Sequence, residues 1–110
     1  MVQQVNPWNS ADGELTLDLI QSLHVPAGQF RISHRHYDAG TQFGGSSRAQ
    51  RFYLLSGSCE YTVGDATWEM AAPCFADLPA GEFRIRVSND AEVSLVNVWN
   101  LPPDFRQDDA

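Results

Sequence analysis

Two histidines separated by one residue, His34 and His36, are the side chains best suited to chemistry in this sequence. The residues over 30–37 alternate with the period of a β-strand, so both imidazoles point to one face of it. Phe30 and Ile32 share that face, and we therefore expect it to be the interior face. Imidazole titrates near neutral pH, so either ring could act there as a general base or contact a polar ligand. If the alternation lapses at the strand end, both rings instead meet solvent or a partner subunit.

The elements that must position this strand are further short strands, separated by Gly, Pro, Asn and Asp. Alternation predicts strands over 51–55, 58–63, 66–70, 75–78, 83–87 and 93–99, with a loop rich in glycine and serine at 44–47. From residue 14 onward, alternating leucines predict another strand, although Leu15, Leu19 and Leu23 also have helical spacing. Short strands joined by turns, with little helix, indicate a sandwich or a closed barrel.

The length of the chain, 110 residues, predicts one domain with a single core. We expect an N-terminal arm over 1–12, anchored by Pro7 and Trp8, a barrel over 13–102 and an acidic tail over 103–110. Cys59 and Cys74 are expected to be reduced, buried thiols. Because there is neither a recognisable signal peptide nor an apolar run of membrane-spanning length, we expect a cytoplasmic protein without a membrane partner.

The charge balance argues against two classes of partner. Seven arginines and no lysines stand against fourteen acidic residues, which gives a net charge of −7. Binding to nucleic acid or to an anionic membrane would need a basic face, so we expect neither partner. The lack of lysine also excludes Schiff-base chemistry through a lysine amine.

The stretch 40–57, GTQFGGSSRAQRFYLLSG, resembles the first signature of the cupin family. Its opening Gly40, its strand at 52–55 and its closing Gly57 are in place, and Pro79-Ala80-Gly81 matches the turn of the second signature. The resemblance covers about 30–102 and implies an all-β, single-domain jelly-roll β-barrel. It also implies a homodimer, because small cupins usually pair through a sheet face or an exchanged strand. A leucine-rich early strand left at a sheet edge would support such pairing.

The cupin signatures normally hold a metal ion, but the ligands are missing from this chain. The histidines of the first signature fall among Gly44, Gly45 and Ser46, its glutamate falls on Gln50, and the histidine of the second falls on Arg84. Such an ion needs about three imidazoles and a carboxylate. We therefore expect no metal and no other cofactor. A relocated site built on the paired histidines would need several coincidences.

A barrel without a metal can still bind a small molecule. Gln50 would be a neutral hydrogen-bonding group in it, and inward aromatic side chains would line a pocket in addition to building the core. Arg84 would bind a carboxylate or phosphate if its side chain points inward. If instead the apolar residues of strand 83–87 face inward, Arg84 points outward and is solvated. The candidate ligand-binding residues are Gln50, Phe52, Tyr61, Trp68 and Arg84.

Three functions follow from these patterns. The first is a metal-free cupin that binds a small organic ligand in the barrel. The second is a metal-independent isomerase, epimerase or lyase that uses His34 or His36 as general base, ideally within reach of Asp77 or a tyrosine. The third is a structural or regulatory cupin that binds a protein partner and has a filled barrel. The interior of the barrel separates them, because a packed interior favours the third.

Overall fold

The computed structural model describes residues 3–9, 11, 13–24 and 27–100 of the chain. The predicted tail at 103–110 lies outside these residues, as do both ends of the predicted arm and the last two residues of the predicted barrel. Over the described ranges the chain forms nine β-strands and one short α-helix. No helix in these ranges has the length and apolar character needed to cross a membrane. The predicted all-β fold class is confirmed.

The strands and the helix follow one another along the chain, and a 3₁₀ turn, Ala27–Gln29, precedes the second strand. In chain order the elements are β1 (Asn6–Pro7), α1 (Leu17–Leu23), β2 (Phe30–Tyr37), β3 (Gln42–Ser47), β4 (Gln50–Ser56), β5 (Ser58–Val63), β6 (Ala66–Ala71), β7 (Cys74–Leu78), β8 (Gly81–Val87) and β9 (Val93–Asn100).

The strands form two antiparallel sheets that face each other as a jelly roll. One sheet has five strands in the order β1-β7-β4-β9-β2, and the other has four in the order β3-β8-β5-β6. Apart from the hairpin of β5 and β6, neighbouring strands in both sheets are not consecutive in sequence, as in Greek-key connections. β2 and β3 are edge strands of different sheets, so the barrel has no backbone pairing between them.

The strand predicted from residue 14 is wrong, because this stretch contains the helix α1. Thr16 caps the helix, and its hydroxyl accepts a hydrogen bond from the Leu19 amide at 3.2 Å. Asp18 in the first turn favours the same start. The helix buries Ile20 completely against the five-stranded sheet. The leucine spacing fits both a strand and a helix. The Thr16 cap and the packing of Ile20 against the five-stranded sheet favour the helix.

The loop predicted at 44–47 is also wrong, because these residues belong to β3. This strand pairs with β8 along its whole length, from Gln42 opposite Arg86 to Ser47 opposite Gly81. Gly44 permits a close approach, since a Cβ atom there would lie 2.7 Å from the carbonyl oxygen of Phe83. The glycines and serines therefore mark a flat, closely paired edge strand.

The prediction of a homodimer stays a prediction. One of its two arguments was a leucine-rich strand exposed at a sheet edge, and that stretch is the helix α1. The other argument, that small cupins usually form dimers, does not depend on this stretch.

Apolar residues pack on both faces of the five-stranded sheet. The inner layer lies between the sheets and contains buried residues of β4–β9, while the outer layer joins Tyr53, Val96 and Val98 to Leu15 and Ile20 of the N-terminal region. A sheet covered on both faces has no face that must be polar. This arrangement decides which side of each strand faces the interior of the barrel.

Candidate ligand-binding site

A cavity of about 320 Å³ lies between the two sheets, in the half of the barrel bounded by the edge strands β2 and β3. Six strands contribute to its lining, mostly through residues on the inner faces of the sheets. The lining residues are Arg35, Tyr37, Phe43, Ser46, Ser47, Gln50, Phe52, Tyr61, Phe83, Ile85, Leu95, Asn97 and Trp99. We call this space the barrel cavity.

Aromatic rings in mutual contact form much of the wall of the barrel cavity. Tyr61 stacks on Phe83 with ring centroids 5.1 Å apart and lies 5.9 Å from the ring of Phe52. Phe43 joins the same wall, with its centroid 6.1 Å from that of Phe83 and 4.7 Å from that of Tyr37. Such a wall is rigid and apolar, and it suits a small ligand with an apolar body.

A chain of hydrogen bonds crosses one side of the barrel cavity and is centred on Gln50. The Asn97 amide donates to Gln50 Oε1 at 2.6 Å, and Gln50 Nε2 donates to the Ser47 hydroxyl at 3.1 Å. The indole of Trp99 also donates to Ser47 Oγ, at 3.3 Å. These bonds hold the polar side of the wall in one arrangement, which is a requirement for selective binding.

The hydroxyl of Tyr61 is the exception in this wall. The residue is only 2% exposed, and its Oη makes no hydrogen bond with any residue that the structure describes. Burial raises the pKa of Tyr61 to about 12, and the Gln50 amide lowers it only in part. Gln50 is close enough to the phenol for this effect but does not have the geometry of a hydrogen bond to it, because its two amide atoms bond to Ser47 and Asn97. The phenol is therefore protonated at neutral pH and offers an unused donor. A buried hydroxyl without a protein partner is costly, so the phenol of Tyr61 is a polar group in the cavity wall that a ligand or a water molecule can satisfy.

Arg35 stands at the exposed side of the barrel cavity. Its Nε donates to the Ser33 hydroxyl at 2.9 Å, and among the described residues its guanidinium makes no ion pair. A guanidinium carries five N–H donors, so the other donors of Arg35 are available for hydrogen bonds. A positive charge thus lies where a ligand would enter.

Three of the predicted ligand-binding residues line the barrel cavity, and two do not. Gln50, Phe52 and Tyr61 are part of its wall. Trp68 is buried instead in the tightly packed half of the barrel. Arg84 is exposed, because the apolar side chains of β8 take the inner positions and leave the arginines outside. The inward orientation considered for Arg84 is therefore wrong, and burial cost explains it.

The orientation predicted for His34 and His36 is wrong as well. Both are exposed, their ring centroids are 4.7 Å apart, and His34 Nε2 lies 2.8 Å from the hydroxyl of Ser94. Phe30 and Ile32 do share their face, but these residues pack in the outer layer. The apolar face of β2 was assigned to the barrel although it faces the N-terminal region. The general-base role predicted for either imidazole was one inside the pocket, a position that these side chains do not have; the role itself stays a prediction.

The sequence offered a signal for one of the cavity residues that were missed. Asn97 alternates with Leu95 and Trp99 along β9, and all three line the barrel cavity. A polar residue at an inward position of a central strand is a marker of a site. Arg35 carried no such signal, because its face could be identified only from the packing of β2 against β9.

The residues at the cupin metal positions do not fit a transition metal. Gly44 and Gly45 lie on β3 without side chains, Gln50 uses its amide in the hydrogen-bond chain, and Arg84 is exposed on the outer face. No group of three His, Cys, Asp or Glu residues within 3–9, 11, 13–24 and 27–100 is arranged to hold an ion. Cys59 and Cys74 are free, buried thiols, as predicted. Burial raises their pKa values, to about 12 and about 11, so neither is a ready ligand.

A second depression, of about 350 Å³, lies at the end of the five-stranded sheet, and we call it the outer cleft. His24 Nε2 lies 3.0 Å from the hydroxyl of Tyr53, and Arg51 donates two hydrogen bonds to the carboxylate of Asp77, at 2.7 and 3.0 Å. Burial and the nearby Arg51 charge lower the pKa of His24. The hydrogen bonds from Arg51 lower the pKa of Asp77. The histidine that reaches a tyrosine is thus His24, which the sequence did not indicate.

Comparison with solved structures finds the same architecture in several proteins. A cupin protein from Bacteroides fragilis is 18% identical with a TM-score of 0.59, and the match covers 79% of this chain and 77% of that one. A cupin superfamily protein from Desulfitobacterium hafniense is 12% identical with a TM-score of 0.57, over 67% of this chain and 69% of that one. The DMSP lyase DddQ from Ruegeria pomeroyi is 13% identical with a TM-score of 0.51, over 94% of this chain but only 58% of that one.

The sequence by itself finds no counterpart, since no family model and no curated protein matches it. Identities below one quarter show architecture and nothing of activity. Two facing antiparallel sheets, the predicted signature strands and these structural neighbours agree with one another. The chain has the fold of the cupin superfamily.

Proposed function

We propose that the protein binds a small organic molecule in the barrel cavity without the help of a metal ion. The observation that carries the proposal is the buried Tyr61 hydroxyl, which points to a missing partner inside a wall of aromatic rings. The cavity has the volume of about ten water molecules, which limits an enclosed ligand to roughly ten to fifteen non-hydrogen atoms. This size suits a metabolite-like molecule and not a peptide.

The barrel cavity bears on the two alternative functions. A filled barrel serving only as a protein-binding module is disfavoured, because about 320 Å³ of interior is open. An isomerase, epimerase or lyase keeps some support from the fold, since a DMSP lyase is among the structural neighbours. However, the described lining contains no His, Asp or Glu that could act as a general base. Binding is therefore the better supported proposal.

The test is a thermal-shift screen with small acids, sugars, amines and aromatic compounds of the stated size, followed by calorimetric titration of each hit. We expect hits to raise the melting temperature of the parent protein, because a ligand that binds only the folded state stabilises it. The variant Ile85→Phe would fill part of the cavity and should fold but lose binding, whereas the exposed Arg84→Gln is the matched control and should keep it. Binding that survives Ile85→Phe, or a screen without any hit, would contradict the proposal.

A further inference from the structure

We propose that the ligand of the barrel cavity is a small monocarboxylic acid whose apolar body carries a hydroxyl or carbonyl oxygen, with its carboxylate on Arg35 and that oxygen on Tyr61. The inference rests on the proposed function and adds the chemical class of the ligand. It depends on the sign of the charge in the cavity, on the free donors of two residues and on their different depths.

The charge of the cavity is opposite to that of the chain. The net charge of the protein is −7, yet Arg35 is the single formally charged side chain at neutral pH among the described residues that line the barrel cavity. A cavity with apolar walls concentrates the field of a charge at its mouth. A cationic ligand would be repelled there, and an anionic one would be attracted.

Most other arginines that the structure describes bind a carboxylate or carbonyl oxygen, but Arg35 does not. Arg51 is bound to Asp77, Arg86 to Glu60, and Arg48 to the backbone oxygen of Asn100. Arg35 donates only to the neutral hydroxyl of Ser33 within the described chain, which leaves its terminal nitrogens free. A planar guanidinium matches the two oxygens of a carboxylate in a bidentate pair. A carboxylate is neutralised by this one charge, whereas the second negative charge of a phosphate ester would have no counter-charge among the described lining residues.

The opposite end of the ligand is defined by Tyr61. Arg35 is exposed, while Tyr61 is 2% exposed, so the charged group lies at the mouth and the phenol lies inside. The protonated phenol donates a hydrogen bond, and the ligand must therefore present an oxygen acceptor at depth. This orientation keeps the carboxylate near water and buries only the neutral part, which avoids the cost of burying a charge.

The experiment compares 4-hydroxybenzoate with 4-hydroxybenzamide, its neutral counterpart of the same shape, by calorimetric titration of the full chain. We expect the acid to bind at least about tenfold more tightly than the amide, because hydrogen bonds to charged groups are the stronger ones. Arg35→Gln should remove this preference by weakening the acid alone, and Arg35→Lys should restore part of it. Arg84→Gln, which removes an exposed arginine from the other sheet, should change neither affinity.

A second pair of probes tests the inner end. Benzoate lacks the para oxygen, and we expect it to bind several-fold more weakly than 4-hydroxybenzoate in the parent protein but equally in Tyr61→Phe. Phenyl phosphate separates the two classes of anion. Tighter binding of phenyl phosphate than of benzoate would overturn the carboxylate assignment.

The outcomes keep this inference apart from the proposed function. If 4-hydroxybenzamide binds as well as the acid, and Ile85→Phe abolishes both, the cavity is a binding site but the carboxylate inference is wrong. The inference is equally wrong if neither probe binds at millimolar concentration while compounds of another class do. If no compound of any class binds, both proposals fail. Melting temperatures of all variants establish that each one is folded.

Discussion

The barrel cavity and the outer cleft are similar in volume, about 320 and 350 Å³, and Gln50 lines both of them. They differ in how their polar groups are used. In the outer cleft, Arg51 holds Asp77, and His24 and Tyr53 hold each other. In the barrel cavity, Tyr61 Oη has no partner among the described residues and Arg35 has no ion pair.

Volume alone therefore does not distinguish the two depressions as candidate binding sites, whereas the use of their polar groups does. His24, Arg51 and Asp77 in the outer cleft already have side-chain partners, and a ligand bound to them would have to replace bonds that exist. The barrel cavity offers donors that a ligand can satisfy at no such cost. We therefore expect hydrogen-bond satisfaction to be the better criterion, and four substitutions test it.

The largest effect is expected for Gln50→Leu, because Gln50 supports the wall of the cavity and borders the cleft. Its amide accepts from Asn97 and donates to Ser47, so leucine would leave the Asn97 amide without its acceptor. We expect the free energy of unfolding to fall by about 1–3 kcal/mol, as for other buried groups deprived of a partner. Urea denaturation measures this. A loss of stability below the experimental error would mean that the hydrogen-bond chain does not support the wall.

An intermediate effect is expected from the same substitution at two tyrosines that are each 2% exposed. Tyr53→Phe removes the partner of His24 and should lower the free energy of unfolding by about 1 kcal/mol. Tyr61→Phe removes a hydroxyl without a partner and should leave stability unchanged or raise it, while it weakens ligand binding. Denaturation of both variants in parallel gives the comparison. Equal destabilisation by the two would show that Tyr61 Oη is already satisfied in the free protein.

The smallest effect concerns the pH dependence of stability. The pKa of His24 is lowered from 6.5 by burial and by the Arg51 charge, so the unfolded chain binds this proton more readily than the folded one. The contribution of His24 to stability is therefore lost as the pH falls below about 6.5, and the loss ends below the folded-state pKa. We expect His24→Gln to have a shallower decline between pH 7 and pH 5 in denaturation experiments. Identical slopes for the variant and the parent would refute this.

Several features of the fold could be predicted from local pattern. The alternating segments became β4 to β9 with shifts of one or two residues at their ends. Their number and spacing predicted a sandwich or a closed barrel, and the resemblance to the cupin signatures implied the jelly roll. Gln50 and Phe52, which line the cavity, were indicated by the first signature stretch, and Tyr61 was indicated as an inward aromatic residue of its own alternating strand. The lack of metal ligands at the signature positions was equally a property of composition. These conclusions depend on residue types and on the spacing of residues close in sequence, which are independent of the tertiary structure.

The side of the sheet on which each residue lies was decided by the tertiary structure. Alternation along β2 separates His34 and His36 from Arg35, but it does not say which set is inside when apolar layers cover both faces of the sheet. The docking of α1 supplied the second layer, and it turned the histidines outward and Arg35 toward the cavity. Likewise, the flat strand β3 exists because β8 lies beside it. Burial is a property of the neighbours of a residue, and those neighbours are distant in the sequence.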